Sequence, residues 1–252
     1  FPAEPEIMGL TALMLLQHAR ADARFGPDGA VVLLEHQDRR LWDRRLVAEG
    51  LALIDKALRH GRPGAYQAQA AIAAMHARAA HYDDTDWETI AQLYGTLERM
   101  QPSPIITLNR AVALSKAQGP EAALALIDPL SAKLSTYFYF HGARGAFLKQ
   151  LGRHDEARVA FGHAIALANS TSEAAYIRSE IESLQAIRKA QGLPRLIVAA
   201  DQEGGIVSHL SPPLTDQPSL GATISNLNSD DEREKAVKAY ASTQARELQT
   251  LG

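Results

Sequence analysis

Hydrophobic residues recur every three or four positions over about the first three quarters of the chain, which is the spacing of amphipathic helices. In the first of these helices Ile7, Leu10, Leu13 and Met14 form one apolar stripe, and the helix is predicted to run to about Arg24. The same spacing predicts three further helices, over about residues 41–58, 65–80 and 86–102. The chain therefore begins as a mainly α structure.

Short segments rich in proline, glycine or acidic residues mark where these helices start and stop. Residues 61–64 have the sequence Gly-Arg-Pro-Gly and predict the end of the second helix. Asp86 is a predicted N-cap, since its carboxylate can accept hydrogen bonds from the first amides of a helix. Pro102 predicts the end of that helix, because proline cannot continue it.

Small and large residues alternate in two successive helix pairs with a period of 34 residues. The positions concerned are Gly145, Leu148, Ala157, Phe161 and Ala164 in the second pair, and Ala111, Leu114, Ala123, Ile127 and Leu130 in the first. Small residues allow two helices to cross closely, and large ones fill the space to the next pair. This period is typical of tetratricopeptide repeats, in which stacked helix pairs bury the core.

The pattern changes near Gly192. Residues 193–205 have the sequence Leu-Pro-Arg-Leu-Ile-Val-Ala-Ala-Asp-Gln-Glu-Gly-Gly, in which a continuous apolar run precedes an acidic, glycine-rich segment. Such a run is typical of a buried parallel strand. The chain thus joins two kinds of protein, predicted as a helical domain over residues 1–184 and an α/β segment over residues 185–252.

Composition and charge exclude several classes of function for this chain. The 252 residues include 26 Lys and Arg against 29 Asp and Glu, a net charge of -3, so specific DNA binding by this chain alone is not expected. The absence of cysteine excludes disulfides and thiolate zinc sites, and it fits a cytoplasmic location. No apolar run is long enough to predict a membrane span. Phe1 in place of an initiator Met predicts an internal fragment of a longer protein.

The histidines predict no metal site. His76 and His81 are five residues apart, whereas two ligands on one helix face are three or four apart. Neither a metal nor another cofactor is therefore expected.

Residues 1 to about 184 resemble the C-terminal extension of a group of extracytoplasmic-function RNA polymerase sigma factors that carry tetratricopeptide-like repeats. Five segments carry this resemblance, residues 4–16, 33–43, 61–72, 85–87 and 104–113. The family has two DNA-reading domains upstream, one for each promoter element, and neither is found in this sequence. The resemblance implies a regulatory role in transcription initiation through protein contacts, with RNA polymerase or the sigma domains as partners.

Residues from about 190 to 252 resemble the N-terminal part of a family 3 glycoside hydrolase of the β-N-acetylhexosaminidase type. The resemblance rests on Asp-Gln-Glu-Gly-Gly at 201–205 and on the Pro-Pro pair at 212–213. It implies that Asp201 holds sugar hydroxyls at the carboxyl end of a barrel strand, with His209 where the family usually has Arg. The family's nucleophile and acid/base residue lie downstream of Gly252, so the resemblance implies weak sugar binding and no catalytic residue.

Two segments have competing interpretations. Residues 35–43, Glu-His-Gln-Asp-Arg-Arg-Leu-Trp-Asp, predict either a polymerase contact or a charged helix start with Trp42 packed inward, and the second is favoured. The aromatic run Tyr-Phe-Tyr-Phe at 137–140 predicts either a peptide groove or core packing, and core packing is favoured.

The predicted fold is mainly α, a tetratricopeptide-like helical-repeat array followed by a short incomplete α/β tail that is a barrel fragment. The predicted function is a transcription-regulatory, protein-binding module derived from a sigma factor and lacking its promoter-reading domains. The alternative is a fragment of a family 3 glycoside hydrolase acting on N-acetylhexosaminides, incomplete for catalysis, so enzyme activity is not expected. The sequence leaves open whether the junction is a natural fusion or an assembly artefact.

Overall fold

The computed structural model describes residues 4–26, 31–193, 202–204, 207–208, 227 and 229–251, and this part of the chain is mainly helical. Its helices are α1 (Pro5–His18), α2 (Arg44–Leu58), α3 (Ala65–Arg78), α4 (Trp87–Met100), α5 (Pro104–Gln118), α6 (Pro120–Ile127), α7 (Phe138–Gln150), α8 (His154–Ala166), α9 (Thr171–Ala190) and α10 (Asp230–Leu251). Two short strands, β1 (Gln202–Gly204) and β2 (Val207–Ser208), pair antiparallel. Within the described residues, no helix combines the length and apolar character needed to cross a membrane.

The chain divides into two compact units, Phe1–Leu134 and Ser135–Gly252. In the first unit α1 packs against α2 and α3, and from α3 to α6 each helix packs against the next. In the second unit α7 packs against α8, and α8 packs against α9. The sequence predicts a domain boundary between residues 184 and 185, and this position falls within α9. The division into a part that resembles a sigma factor and a part that resembles a glycoside hydrolase stays a prediction.

The first helix ends earlier than the sequence predicts. α1 ends at His18 rather than at Arg24, and a short 3-10 turn follows at Ala21–Ala23. The carbonyl of Ala19 accepts a hydrogen bond from the amide of Asp43 at 2.8 Å, which ties the end of α1 to the start of α2. This tertiary contact has no local signal in the sequence.

α1 also buries a different face from the predicted stripe. Met8, Ala12 and Leu16 are buried, whereas Ile7 and Met14 are 43% and 65% exposed. The buried face carries small residues that allow α3 to approach, and a Cβ at Gly9 would lie 2.7 Å from the backbone nitrogen of Gln67. The stripe prediction is wrong for Ile7 and Met14, although Leu13 packs against the core, because the approach of α3 at Gly9 decides which face is buried.

The other helix boundaries lie close to their predicted positions. α2 starts at Arg44, later than predicted, because the Asp43 carboxylate accepts hydrogen bonds from the first amides of this helix. It ends before Gly61, which has a φ of 64°, a value that favours glycine. The predicted N-cap is confirmed, since Asp86 accepts a hydrogen bond from the Thr89 amide at 2.9 Å.

Most residues at the 34-residue spacing are deeply buried. Those with 0% exposure are Ala111, Ala123, Ile127, Leu148, Ala157, Phe161 and Ala164. Leu114 and Leu130 are half-buried. A Cβ at Gly145 would lie 2.5 Å from the Phe161 ring, so glycine is what lets α7 and α8 pack this closely.

Candidate functional site

A side chain from α1 caps the N-terminus of α3. The N-cap residue Gly64 has no side chain to do so, and the Glu6 carboxylate instead accepts hydrogen bonds from the amides of Tyr66 at 3.0 Å and Gln67 at 3.2 Å. A Cβ at Gly64 would overlap that carboxylate. Glycine at this position and glutamate at position 6 therefore depend on each other, and together they fix where α3 begins.

The C-terminus of α3 is capped by Arg39, which lies in the connection between α1 and α2. Its guanidinium donates hydrogen bonds to the carbonyls of His76 and of Ala79, the latter at 2.9 Å. A cation is favourable at this end of a helix, where the last carbonyls carry a partial negative charge. Arg39 thereby attaches the connection before α2 to the end of α3.

The buried ring of Trp42 supports this connection by packing next to Arg39. Its side chain is 4% exposed, which confirms the prediction that it packs inward. The Arg39 guanidinium lies 4.7 Å from the Trp42 ring centroid, and that of Arg20 lies 5.8 Å away, both within the range of cation–π attraction. The Trp42 Nε1 and Arg39 Nη2 atoms are buried and have no hydrogen-bond partner among the residues that the structure describes.

The elements joined by Arg39 border a cleft of about 840 Å³ in the first unit. Its walls come from three parts of the chain, which are residues 35–40 with Arg44, residues 80–83, and Lys116 of α5. We call this the charged cleft, since it carries four Lys or Arg and three acidic side chains. Its position between α2, α3 and α5 makes it the candidate functional site.

Two of the cations in the charged cleft have carboxylate partners. Arg40 lies 2.7 Å from Asp38, and its hydrogen bonds lower the pKa of Asp38 to about 2. Lys116 lies 3.9 Å from Glu35 and 5.3 Å from the ring centroid of Tyr82. Burial raises the pKa of the Tyr82 phenol, while the charge of Lys116 acts in the opposite direction.

The other two cations, Arg39 and Arg44, form no ion pair within the described residues. Burial lowers the pKa of Arg39, the nearby Asp84 raises it, and the positive charge of Arg44 lowers it further. Arg44 is exposed and occupies the first turn of α2, where the helix dipole disfavours a cation. The charged cleft therefore presents the exposed guanidinium of Arg44 beside the positive charge of Arg39, and together they attract an anionic group.

Behind the cleft, His76 is held in its neutral form. Burial lowers the pKa of His76 to about 4, and the charges of Arg20 and Arg39 act in the same direction. The His76 ring meets the edge of Trp87 with centroids 5.3 Å apart. In the described part of the chain, no group of three or more His, Cys, Asp or Glu could hold a metal ion.

The predicted sugar-binding residues Asp201 and His209 lie outside the described residues, as does the predicted strand that precedes them. Of the glycine-rich segment, Gly204 is the last residue of β1. The sugar-binding site therefore stays a prediction. The aromatic run at 137–140 packs in the core, which is the interpretation that the sequence favours, since Phe138 and Phe140 are buried. Tyr139 between them is 54% exposed.

The sequence identifies only one wall of the charged cleft. Residues 35–43 stood out by their charge, but residues 80–83 and Lys116 did not. These three parts of the chain are far apart in sequence and share no local pattern. Only tertiary packing brings them together, so no signal within a helix or loop could have identified the complete cleft.

Comparisons with known proteins give two matches. A family of unknown function, DUF6596, matches residues 1–58, which include α1, the connection with Arg39 and Trp42, and α2. A relative from Rhizobium meliloti (strain 1021), uncharacterized protein R00370, is 67% identical over 186 residues, which are 74% of this chain and 44% of the relative. No solved structure matches the chain. The chain thus spans less than half the length of the curated relative it matches, and its first helices are similar to DUF6596.

Proposed function

We propose that this chain is a protein-binding module of transcription regulation, derived from a sigma factor and lacking its promoter-reading domains. The observation that carries the proposal is that four of the five segments resembling the sigma-factor extension form part of α3 or contact it, within the first unit. Glu6, from the first segment, caps α3 beside Gly64 of the third. Arg39, from the second, caps the other end of α3.

The fourth segment joins the same arrangement through an aromatic contact. Trp87 packs its ring against His76 of α3 and, at 5.4 Å, against Tyr82, which lines the charged cleft. These contacts with α3 favour a single structural unit, and they support a sigma-factor origin for it.

A tetratricopeptide-like array is the architecture we propose for the helices. Within each unit neighbouring helices pack side by side, and the small residues Ala111, Ala123, Gly145 and Ala157 are buried. Stacked helix pairs of this kind expose extended surfaces that bind other proteins. The architecture therefore supports protein binding more than catalysis.

We infer that the partner is RNA polymerase or the sigma domains, in the cytoplasm, and that the chain alone does not bind promoter DNA. The net charge of -3 gives no overall attraction to phosphates. Within the charged cleft, three carboxylates alternate with the cations and would repel a nucleic-acid backbone. The glycoside hydrolase alternative depends on Asp201 and His209, and no contact in the described residues favours it.

A direct binding measurement tests this function. The complete chain would be immobilised and presented separately with purified Rhizobium meliloti RNA polymerase, with purified sigma domains from the same organism, and with serum albumin as a control. We expect saturable binding to the polymerase or the sigma domains at micromolar concentrations, and none to albumin. A labelled promoter fragment should not bind.

Two outcomes would contradict the proposal. Absence of binding to both the polymerase and the sigma domains would remove the regulatory role and leave only shared ancestry. Promoter-specific DNA binding by this chain would contradict the inference that it acts through protein contacts.

A further inference from the structure

The arrangement of Arg39 and Arg44 points to a specific chemistry for whatever binds in the charged cleft. Both side chains line it, and neither has a carboxylate partner among the described residues. By contrast, Arg40 and Lys116 are already paired with Asp38 and Glu35. The unbalanced positive charge is therefore located at two neighbouring guanidiniums rather than spread over the cleft.

Arg39 is held rigidly in this position. Its Nη1 atom donates to two carbonyls at the end of α3, and its guanidinium plane is supported by the buried Trp42 ring. The Nη2 atom of the same group is buried. Because Nη1 is engaged and Nη2 is buried, Arg39 contributes a fixed positive charge to the cleft rather than free hydrogen-bond donors.

Arg44 has the opposite character. It is exposed at the start of α2, where the helix dipole disfavours a cation, and it makes no ion pair within the described residues. A carboxylate reaching the cleft would be attracted by Arg44 and by the charge of Arg39, whereas the first amides of α2 are already capped by Asp43. Arginine binds carboxylates through paired, charge-assisted hydrogen bonds, which add geometric specificity to charge attraction.

We propose that the charged cleft binds an acidic segment of a protein partner, with a glutamate or aspartate carboxylate held by Arg44 and attracted by the positive charge of Arg39. This inference rests on the proposed function, since it names the chemistry of the partner's contact. A continuous phosphate backbone is disfavoured because Glu35, Asp38 and Asp83 also line the cleft. Spaced carboxylates on a peptide can avoid those three acids, so the occupant is a peptide rather than a nucleic acid.

The chain offers a matched pair of variants to test this site. Arg44 and Arg45 are adjacent, both are exposed in the first turn of α2, and only Arg44 lines the cleft. Arg44→Gln and Arg45→Gln change the net charge equally. The probe is a short fluorescent peptide of alternating glutamate and alanine, whose binding to the complete chain is measured by fluorescence anisotropy at low and at physiological salt.

We expect Arg44→Gln to weaken binding of this peptide about tenfold and Arg45→Gln to weaken it less than about twofold. The peptide with glutamine in place of glutamate should not bind, and a single-stranded oligonucleotide should bind more weakly than the glutamate peptide. Circular dichroism spectra and melting curves of both variants should match those of the wild type, since neither side chain makes an ion pair with another described residue.

The proposal would be overturned if the glutamate peptide did not bind, if both variants weakened binding equally, or if the oligonucleotide bound more tightly. The same variants separate this site from the proposed function. Polymerase or sigma-domain binding that is unchanged by Arg44→Gln would contradict the site alone. Peptide binding that depends on Arg44, in a chain that binds no transcription component, would contradict the proposed function alone.

Discussion

The two helical units position their helices by different means. In the first unit, polar contacts between distant parts of the chain set the ends of α3, with Glu6 at its N-terminus and Arg39 at its C-terminus. In the second unit, apolar fit sets the crossing of α7 and α8, where the Phe161 ring fills the space left by Gly145. Long-range caps fix where a helix starts and stops, whereas apolar fit fixes how closely two helices pack.

This difference explains which features are visible in the sequence. Size complementarity repeats at a fixed spacing, and Gly145 and Phe161 are accordingly members of the predicted 34-residue pattern. The caps do not repeat, because Glu6 acts on an amide 60 residues away. A contact that occurs once in the chain leaves no periodic signal.

The largest effect is expected from overpacking the second unit. In Gly145→Val the added side chain would meet the Phe161 ring, since even a Cβ would lie 2.5 Å from it. We expect the free energy of unfolding to fall by about 3 kcal/mol. Urea denaturation followed by circular dichroism measures this change.

A second glycine provides the matched control. Gly162 lies within α8, and a Cβ there would meet nothing within 4 Å. Gly162→Ala should therefore stabilise the protein by about 0.5–1 kcal/mol through lower backbone entropy in the unfolded chain. If the two variants changed stability in the same direction, close packing at Gly145 would be wrong.

A smaller effect is expected from removing the cap in the first unit. Glu6→Ala leaves the amides of Tyr66 and Gln67 without their acceptor, and we expect a loss of about 2 kcal/mol. Gly64→Ala should cost a similar amount, because its Cβ displaces the same carboxylate. Tryptophan fluorescence during urea denaturation reports on this unit, since both tryptophans, at positions 42 and 87, lie in it.

The double variant distinguishes a shared cap from two separate contacts. Once Glu6 is alanine, Gly64→Ala should cost little more, so the two losses should not add. As a control, Glu4→Ala removes an exposed pair with Arg62 at 3.6 Å and should change stability by less than about 0.5 kcal/mol. Additive losses for Glu6 and Gly64 would mean that they act independently.

At about pH 5.5 the smallest of these effects is expected, and it depends on the protonation of His76. His76 has a folded-state pKa of about 4 against an ordinary value of 6.5, so below pH 6.5 the unfolded chain binds a proton that the folded chain does not. Stability should therefore fall as the pH drops below 6.5, by about 1.4 kcal/mol at about pH 5.5, and the loss should be complete below about pH 4. Denaturation midpoints of the wild type and His76→Phe, measured across this range, isolate the contribution. Equal pH dependence of both proteins would rule out His76 as its source.

The sequence predicted the elements whose causes are local. Asp86 and the glycine at position 61 mark a helix start and a helix end in both the sequence and the structure, because a cap and a positive φ are set within a few residues. The buried face of α1 could not be predicted from apolar spacing, since it is decided by the approach of α3 at Gly9. Within the candidate site, the inward packing of Trp42 was predicted, but the pairing of Arg39 with the end of α3 was not.

The cap at the start of α3 also has a dynamic consequence. The first amides of a helix have no partner within it and exchange freely with solvent in most proteins. Those of Tyr66 and Gln67 donate to a carboxylate carried by α1, so their hydrogen exchange requires that this carboxylate leave them. The exchange rates of these two amides therefore measure how often this contact between α1 and α3 opens.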